Sequence, residues 1–132
     1  IIYPNMTKFL PFYLDNEEFI TNQKCFILTG KKLAFLTAFF NSSLFKFCFS
    51  NNFPELMGGT RELSKIFFEK LPVISISEDV NISFLEKITK LQQLKRTNID
   101  AKEIEKEIDT LIFDLYQLTV DERETIGFIE IL

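Results

Sequence analysis

Towards the end of the chain, apolar residues recur three and four positions apart. Ile104, Ile108, Leu111, Ile112 and Leu115 therefore share one helical face. Thr119 stands three residues before Glu122, the spacing at which a hydroxyl and a carboxyl each cap a backbone N–H of the other. Ser83 with Glu86 and Asp100 with Glu103 repeat that spacing, which predicts helices over 84–96, 101–116 and 120–129. Ile88, Leu91 and Leu94 supply the seam of the first helix.

Upstream the period shortens. Residues 1–14 are rich in strand formers, and Pro4 and Pro11 confine them to edges or strand starts. Residues 12–15 and 19–28 read as two strands, with Asp15-Asn16-Glu17-Glu18 as the turn between them. Thr29 and Gly30 end the strand and open a helix whose buried face is Leu33, Leu36, Phe39 and Phe40. Asn41-Ser42-Ser43 breaks it, and 44–49 continues as a second short helix. Both segments are apolar nearly all round, so they belong in an interior. Leu44, Phe47, Cys25 and Cys48 are expected to be largely buried there.

Residues 51–60 form the one real loop, with Pro54 and the pair Gly58-Gly59, which permits positive φ and close approach of a ligand. Residues 64–70 allow a turn or two of helix, and Pro72 keeps 71–74 extended. The expectation is an α+β fold. A small mixed β-sheet packs with two Phe-rich helices, followed by a C-terminal helical hairpin or three-helix extension. The composition shifts over 75–81, dividing the chain into 1–75 and a helical spacer or packing segment, 76–132.

At 132 residues the chain is one domain, or a small domain with a helical appendage. Sixteen Phe without a Trp points to rings used for core, because Phe has no polar handle. The absence of His removes the commonest neutral-pH acid–base group and metal ligand. Cys25 and Cys48 lack metal or redox spacing and read as reduced thiols of a cytoplasmic protein. No apolar run reaches the length of a membrane helix. The opening Ile1-Ile2-Tyr3-Pro4, without Met, leads us to expect a piece of a longer polypeptide. Charge divides unevenly. Residues 1–73 hold eight Lys or Arg against six Asp or Glu, whereas 74–132 hold seven against thirteen. Only the first part suits a polyanion.

Several stretches, in order, resemble a known family. Glu103 to Glu130, with its "E-I-D-x-L-I-x-x-L-Y-x-L-T-x-x-E" pattern, is similar to the tail of TaqI-like C-terminal specificity domains. These belong to bacterial restriction–modification enzymes that methylate adenine and cut DNA. Leu14-Asp15 with Cys25-Phe26-Ile27-Leu28-Thr29-Gly30 resembles the family's "LD…YFLTG". The stretch 36–49 around Asn41-Ser42 resembles "LLALLNSKLFNFYF". Gly58-Gly59 through Phe67-Phe68-Glu69-Lys70-Leu71-Pro72 resembles "GG…FLEKLPI". Two positions depart from the pattern. Gln117 stands where the family has Gly at a helix end, and Arg61-Glu62 where an aromatic is common.

The resemblance implies a target recognition domain that reads bases in double-stranded DNA while the methyltransferase domain of the same parent chain does the chemistry. S-adenosylmethionine and Mg are expected for that parent and neither for this segment, which lacks an Asn-Pro-Pro-Tyr run. Asp79 with Asp100-Ala101-Lys102 matches a nuclease pattern formally, but Lys102 falls in a helical first turn and no catalytic residue is assigned. Arg61 is the expected base reader, through the bidentate bond a guanidinium makes with guanine. Asn51 and Asn52 suit adenine, and Thr60 suits base or phosphate. Lys8, Lys24, Lys31, Lys32, Lys46 and Lys65 are the available phosphate partners. One contiguous positive patch around Arg61 is expected, opposed by acids from Glu103, Glu105, Glu107 and Asp109. Beside this stands the plain reading, in which surface lysines are solvated and Asn-Asn before Phe-Pro is a turn. The rival function is a helical assembly or interaction module without DNA contact.

Overall fold

The computed structural model describes residues 1–8 and 12–130, with the backbone alone at Phe67. Pro11 lies outside the described residues. Among the described residues there are four short strands: β1 (Ile2–Pro4), β2 (Met6–Thr7), β3 (Cys25–Ile27) and β4 (Arg61–Glu62). Six α-helices accompany them among the described residues: α1 (Leu33–Asn41), α2 (Ser43–Asn52), α3 (Lys65–Phe68), α4 (Glu78–Arg96), α5 (Lys102–Leu115) and α6 (Val120–Ile126). The α+β class holds. The expected mixed sheet does not, because the strands form two separate antiparallel pairs, β1–β3 and β2–β4.

The segment after residue 11 explains the difference. Tyr13 exchanges N–H···O bonds with Ile2 at 2.8 and 2.9 Å. On the other edge, two side-chain amides stand in for a neighbouring strand. Asn41 accepts from Phe12 N at 3.1 Å and donates to Phe12 O at 2.7 Å. Gln92 does the same for Leu14, at 2.8 and 3.1 Å. Backbone polar groups must find partners when buried, and here side chains supply them in place of a ladder. Of the strand expected over 19–28, only Cys25–Ile27 forms as β3, with Leu28 bonded to Ile1 and Lys24 to Asn5 just beyond its ends. The Asp15 carboxylate instead holds the N–H groups of Glu17 and Phe19 in a turn.

The two Phe-rich helices form the core. Phe35, Phe39, Phe40, Phe45 and Phe49 are buried, together with Phe12 and Phe53. Burying each such ring stabilises the fold by about 1.5–3 kcal/mol. Leu33, Leu36 and Leu44 are only half-buried, Phe47 is exposed, and Cys25 and Cys48 are half-buried free thiols. Phe39 and Phe40 are buried as expected, while Ala34, Phe35 and Ala38 complete that face in place of Leu33 and Leu36. Ser42 makes the break between the helices productive. Its hydroxyl accepts from Phe45 N to cap α2 and donates to Phe39 O at 2.6 Å.

Helix α4 starts at Glu78 because Ser77, rather than Ser83, is its cap. The Ser83 hydroxyl donates to Val80 O within the helix. Asn81 of α4 accepts from Phe35 N and so caps α1 from a distance, while Lys32 donates to Ile76 O. Helix α5 buries Ile104, Ile108 and Ile112, as its spacing predicts. Asp100 accepts from Lys102 N at 3.0 Å, two residues on, rather than forming a box with Glu103. Thr119 and Glu122 do form the reciprocal capping box. Helix α6 ends at Ile126, short of 129, because Gly127 turns the chain at φ 67°. The composition shift at 75–81 coincides with the entry to α4, yet one apolar cluster runs from Ile1 to Ile112 across it.

Candidate nucleic-acid interface

The hairpin after α2 is built around Arg61. Its Nε donates to Phe53 O at 3.1 Å, and Nη2 reaches Ser50 O at 3.4 Å and Glu55 Oε2 at 3.2 Å. Its guanidinium lies 5.7 Å from the centre of the Phe49 ring. The Ser50 and Phe53 carbonyls belong to the end of α2, where the last turn leaves acceptors without helical partners. Arg61 satisfies them, and its side chain is only 19% exposed. Leu56 donates to Thr60 O at 2.7 Å, closing the hairpin around Gly58 and Gly59 at φ 83° and 77°. A Cβ at Gly59 would lie 4.0 Å from Lys8 Cε, so Lys8 runs beside the hairpin. Met57 sits at the tip, almost fully exposed.

The structure thus brings Asn51, Asn52, Thr60 and Arg61 to one corner, beside Lys8. Asn51 and Asn52 are not loop residues as expected. They occupy the last turn of α2, each exposed and donating from Nδ2 to the carbonyl four residues back. Their Oδ1 atoms accept nothing from described residues. Thr60 donates to Met57 O at 3.3 Å.

Among the described residues no hydrogen bond or ion pair joins Lys24, Lys31, Lys32, Lys46 or Lys65 to this corner. Lys32 is turned to Ile76 O, and Lys65 pairs with Glu69 at 3.4 Å. Lys24 and Lys31 are exposed at opposite ends of β3 and make no ion pair with described residues. Lys46 is buried in α2 and donates to Ile129 O. It could not meet a phosphate without leaving the interior.

The acidic face needs correction. Glu103 and Glu107 are exposed, but Glu105 and Asp109 are buried at 4% and 6% exposure. Asp109 accepts from Ser43 N at 2.8 Å and from the Ser43 hydroxyl, which in turn accepts from Ile129 N at 2.8 Å. Glu105 pairs with Lys95 at 2.7 Å. Desolvation pushes the Asp109 carboxyl up, and it pulls Lys46 down to about 8 against the opposing pull of Asp109 and Glu105. Reading by charge alone missed this cluster. The signal was there: Glu105 and Asp109 follow Ile104 and Ile108 by one position, within reach of the buried face.

Asp79 and Asp100 lie at or beyond opposite ends of α4, a helix whose 19 residues span about 28 Å. Lys102 pairs with Glu130 at 3.3 Å. The formal nuclease pattern is therefore not assembled. Among the described residues no group of three or more His, Cys, Asp or Glu could hold a metal ion. Gly58-Gly59 leads into a two-residue strand and not into a helix N-terminus, so it does not fit an S-adenosylmethionine cradle either. Among the described residues no single helix is long and apolar enough to cross a membrane; α1 and α2 reach that length and composition only together, as a pair bent by 64°. Comparison with family models, with curated proteins and with solved structures returns no match for this chain.

Proposed function

We propose that this chain is the distal part of a DNA target recognition domain of a bacterial, cytoplasmic restriction–modification enzyme, non-catalytic in itself. The observation that carries the reading is the corner formed by the end of α2 and the Arg61 hairpin. It gathers two exposed asparagine side chains, a threonine and a lysine on a braced backbone. Asn51 and Asn52 present carboxamides with the donor–acceptor pair that suits adenine, and Lys8 suits a neighbouring phosphate. Arg61 works mainly as the brace of this corner, with its free Nη1 edge left for a base or phosphate. The sequence-order resemblance to TaqI-like specificity domains supports the same reading. So does the pairing of cations in the helical part, where Lys87, Lys95, Lys102 and Arg123 bond carboxylates of that same part, Arg96 bonds Glu17, and the acids remain in excess. The partner domain for α4 to α6 is the methyltransferase domain of the same parent chain; the parent enzyme as a whole would use S-adenosylmethionine and Mg.

The test is enrichment of a randomised duplex library by the polypeptide carrying this chain. A defined motif that Asn51→Ala with Asn52→Ala degrades at an adenine supports the reading. A helical assembly module, the second reading, would enrich nothing and would bind a protein through α4 to α6.

A further inference from the structure

The hairpin between α2 and β4 rises from two buried anchors, Phe53 and Leu63, at 3% and 0% exposure. Its tip is a single 3₁₀ turn, Met57–Gly59. Three bonds close that turn. Leu56 N donates to Thr60 O at 2.7 Å, Gly59 N to Leu56 O at 3.3 Å, and the Thr60 hydroxyl to Met57 O at 3.3 Å. Below it Glu55 and Arg61 face each other in an antiparallel bridge, and Arg61 ties the base of the hairpin to α2. The tip of this braced hairpin is apolar. Met57 is 98% exposed, so the fold gains nothing from its side chain.

The surroundings of Met57 are polar rather than a continuation of apolar surface. Lys8 runs beside Gly59. Asn51 and Asn52 directly follow Ser50, whose carbonyl Arg61 bonds. Glu55 is neutralised by Arg61, and Glu62 stands on the other side of β4, because successive strand residues alternate. A lone apolar side chain among carboxamides and a cation suits a polyanion with a stacked apolar interior. It suits less well the broad apolar centre of a protein interface. We propose that Met57 is a wedge that enters between two base pairs next to the adenine assigned to Asn51 and Asn52, and opens that step. The proposal rests on the reading of this corner as a DNA interface and adds a second source of selectivity to it. Opening a step costs least where a pyrimidine precedes a purine, so the wedge favours TA or CA without a bond to any base edge. An unbranched thioether adapts to the irregular gap, and the braced hairpin spares the entropy of ordering a loop on binding.

The test uses the polypeptide carrying this chain, a randomised duplex library, and the selected duplex with 2-aminopurine as the purine of the opened step. The native protein should enrich a pyrimidine–purine step beside the adenine and brighten the 2-aminopurine, whose emission rises on unstacking. Met57→Ala should keep the adenine, lose the step preference, weaken the selected site about tenfold and leave the emission quenched. Its thermal melt should match the native one, because the side chain is exposed. Met57→Leu should retain both effects. An enriched motif that Met57→Ala binds with unchanged affinity, step preference and emission overturns the wedge and leaves the reading of the corner standing. Met57→Lys that tightens every duplex alike places the tip at phosphates and overturns the wedge too. A native chain that enriches no motif overturns both the wedge and the reading.

Discussion

Arg61 Nε donates to Phe53 O at 3.1 Å, so the side chain expected to read a base instead closes the end of α2. Hydrogen bonds from a charged donor contribute about 1.5–3 kcal/mol, and here they reach the ends of two elements. Arg61→Ala should lower stability by about 1–3 kcal/mol. Arg61→Lys should recover little, because an ammonium cannot span Ser50 O, Phe53 O and Glu55 together. Thermal melts of both variants check this. The DNA readout separates the roles: a brace weakens binding to every sequence, whereas a base reader changes preference at one position.

Gln117 sits at φ 53°, where the chain leaves α5. Leu118 donates to Phe113 O and Gln117 to Asp114 O, each at 3.0 Å, the pair of bonds that closes a helix through a left-handed residue. Only Gly adopts that conformation without strain, so Gln117→Gly should raise stability by about 0.5–1 kcal/mol. Asn98 plays the same part after α4, at φ 54°, with Ile99 donating to Leu94 O. Equilibrium urea unfolding measures the shift. A destabilised Gln117→Gly would show that the Gln side chain makes a compensating contact.

Phe39 is 3% exposed and stacks on Tyr116 with ring centres 5.5 Å apart. It therefore joins the Phe-rich helices to the end of α5. Phe39→Ala should cost about 3–5 kcal/mol, enough to unfold a domain of this size. Phe47→Ala, at an exposed position of the neighbouring helix, should cost far less. Similar losses from the two would contradict the helix phase described above.

Lys46 carries a pH prediction. Its folded pKa, near 8, lies below the 10.5 of a free lysine, so the unfolded chain binds more protons between those values. Stability from this group should therefore rise as pH increases from about 8 to 10.5. Asp109 has the opposite sign: its raised pKa makes its contribution fall as pH climbs above 3.8. Urea midpoints at several alkaline pH values should show the rise in the native chain and lose it in Lys46→Met.

The helical half was legible because its signals are local. The α5 seam and the Thr119–Glu122 box depend on residues within one or two turns, and both hold. The first half was less so, because its backbone bonds go to distant side chains. Asn41 to Phe12 and Gln92 to Leu14 join positions 29 and 78 residues apart, and no periodicity announces such a partner. The candidate site shows the same limit. Sequence brought Asn51, Asn52, Thr60 and Arg61 together through their shared stretch. The pull of two α2 carbonyls on Arg61, and the burial of Glu105, Asp109 and Lys46, depend on packing across the chain.

The most direct test of DNA recognition by the α2–Arg61 corner is duplex binding by the polypeptide carrying this chain, titrated with salt on a selected and a scrambled site. The account predicts an enriched motif, lost at an adenine position at a cost of about 1–3 kcal/mol in Asn51→Ala with Asn52→Ala. It also predicts that Lys8→Ala weakens both sites alike and flattens the salt dependence by about one charge. No enriched sequence, with equal salt slopes for the native chain and Lys8→Ala, would contradict it.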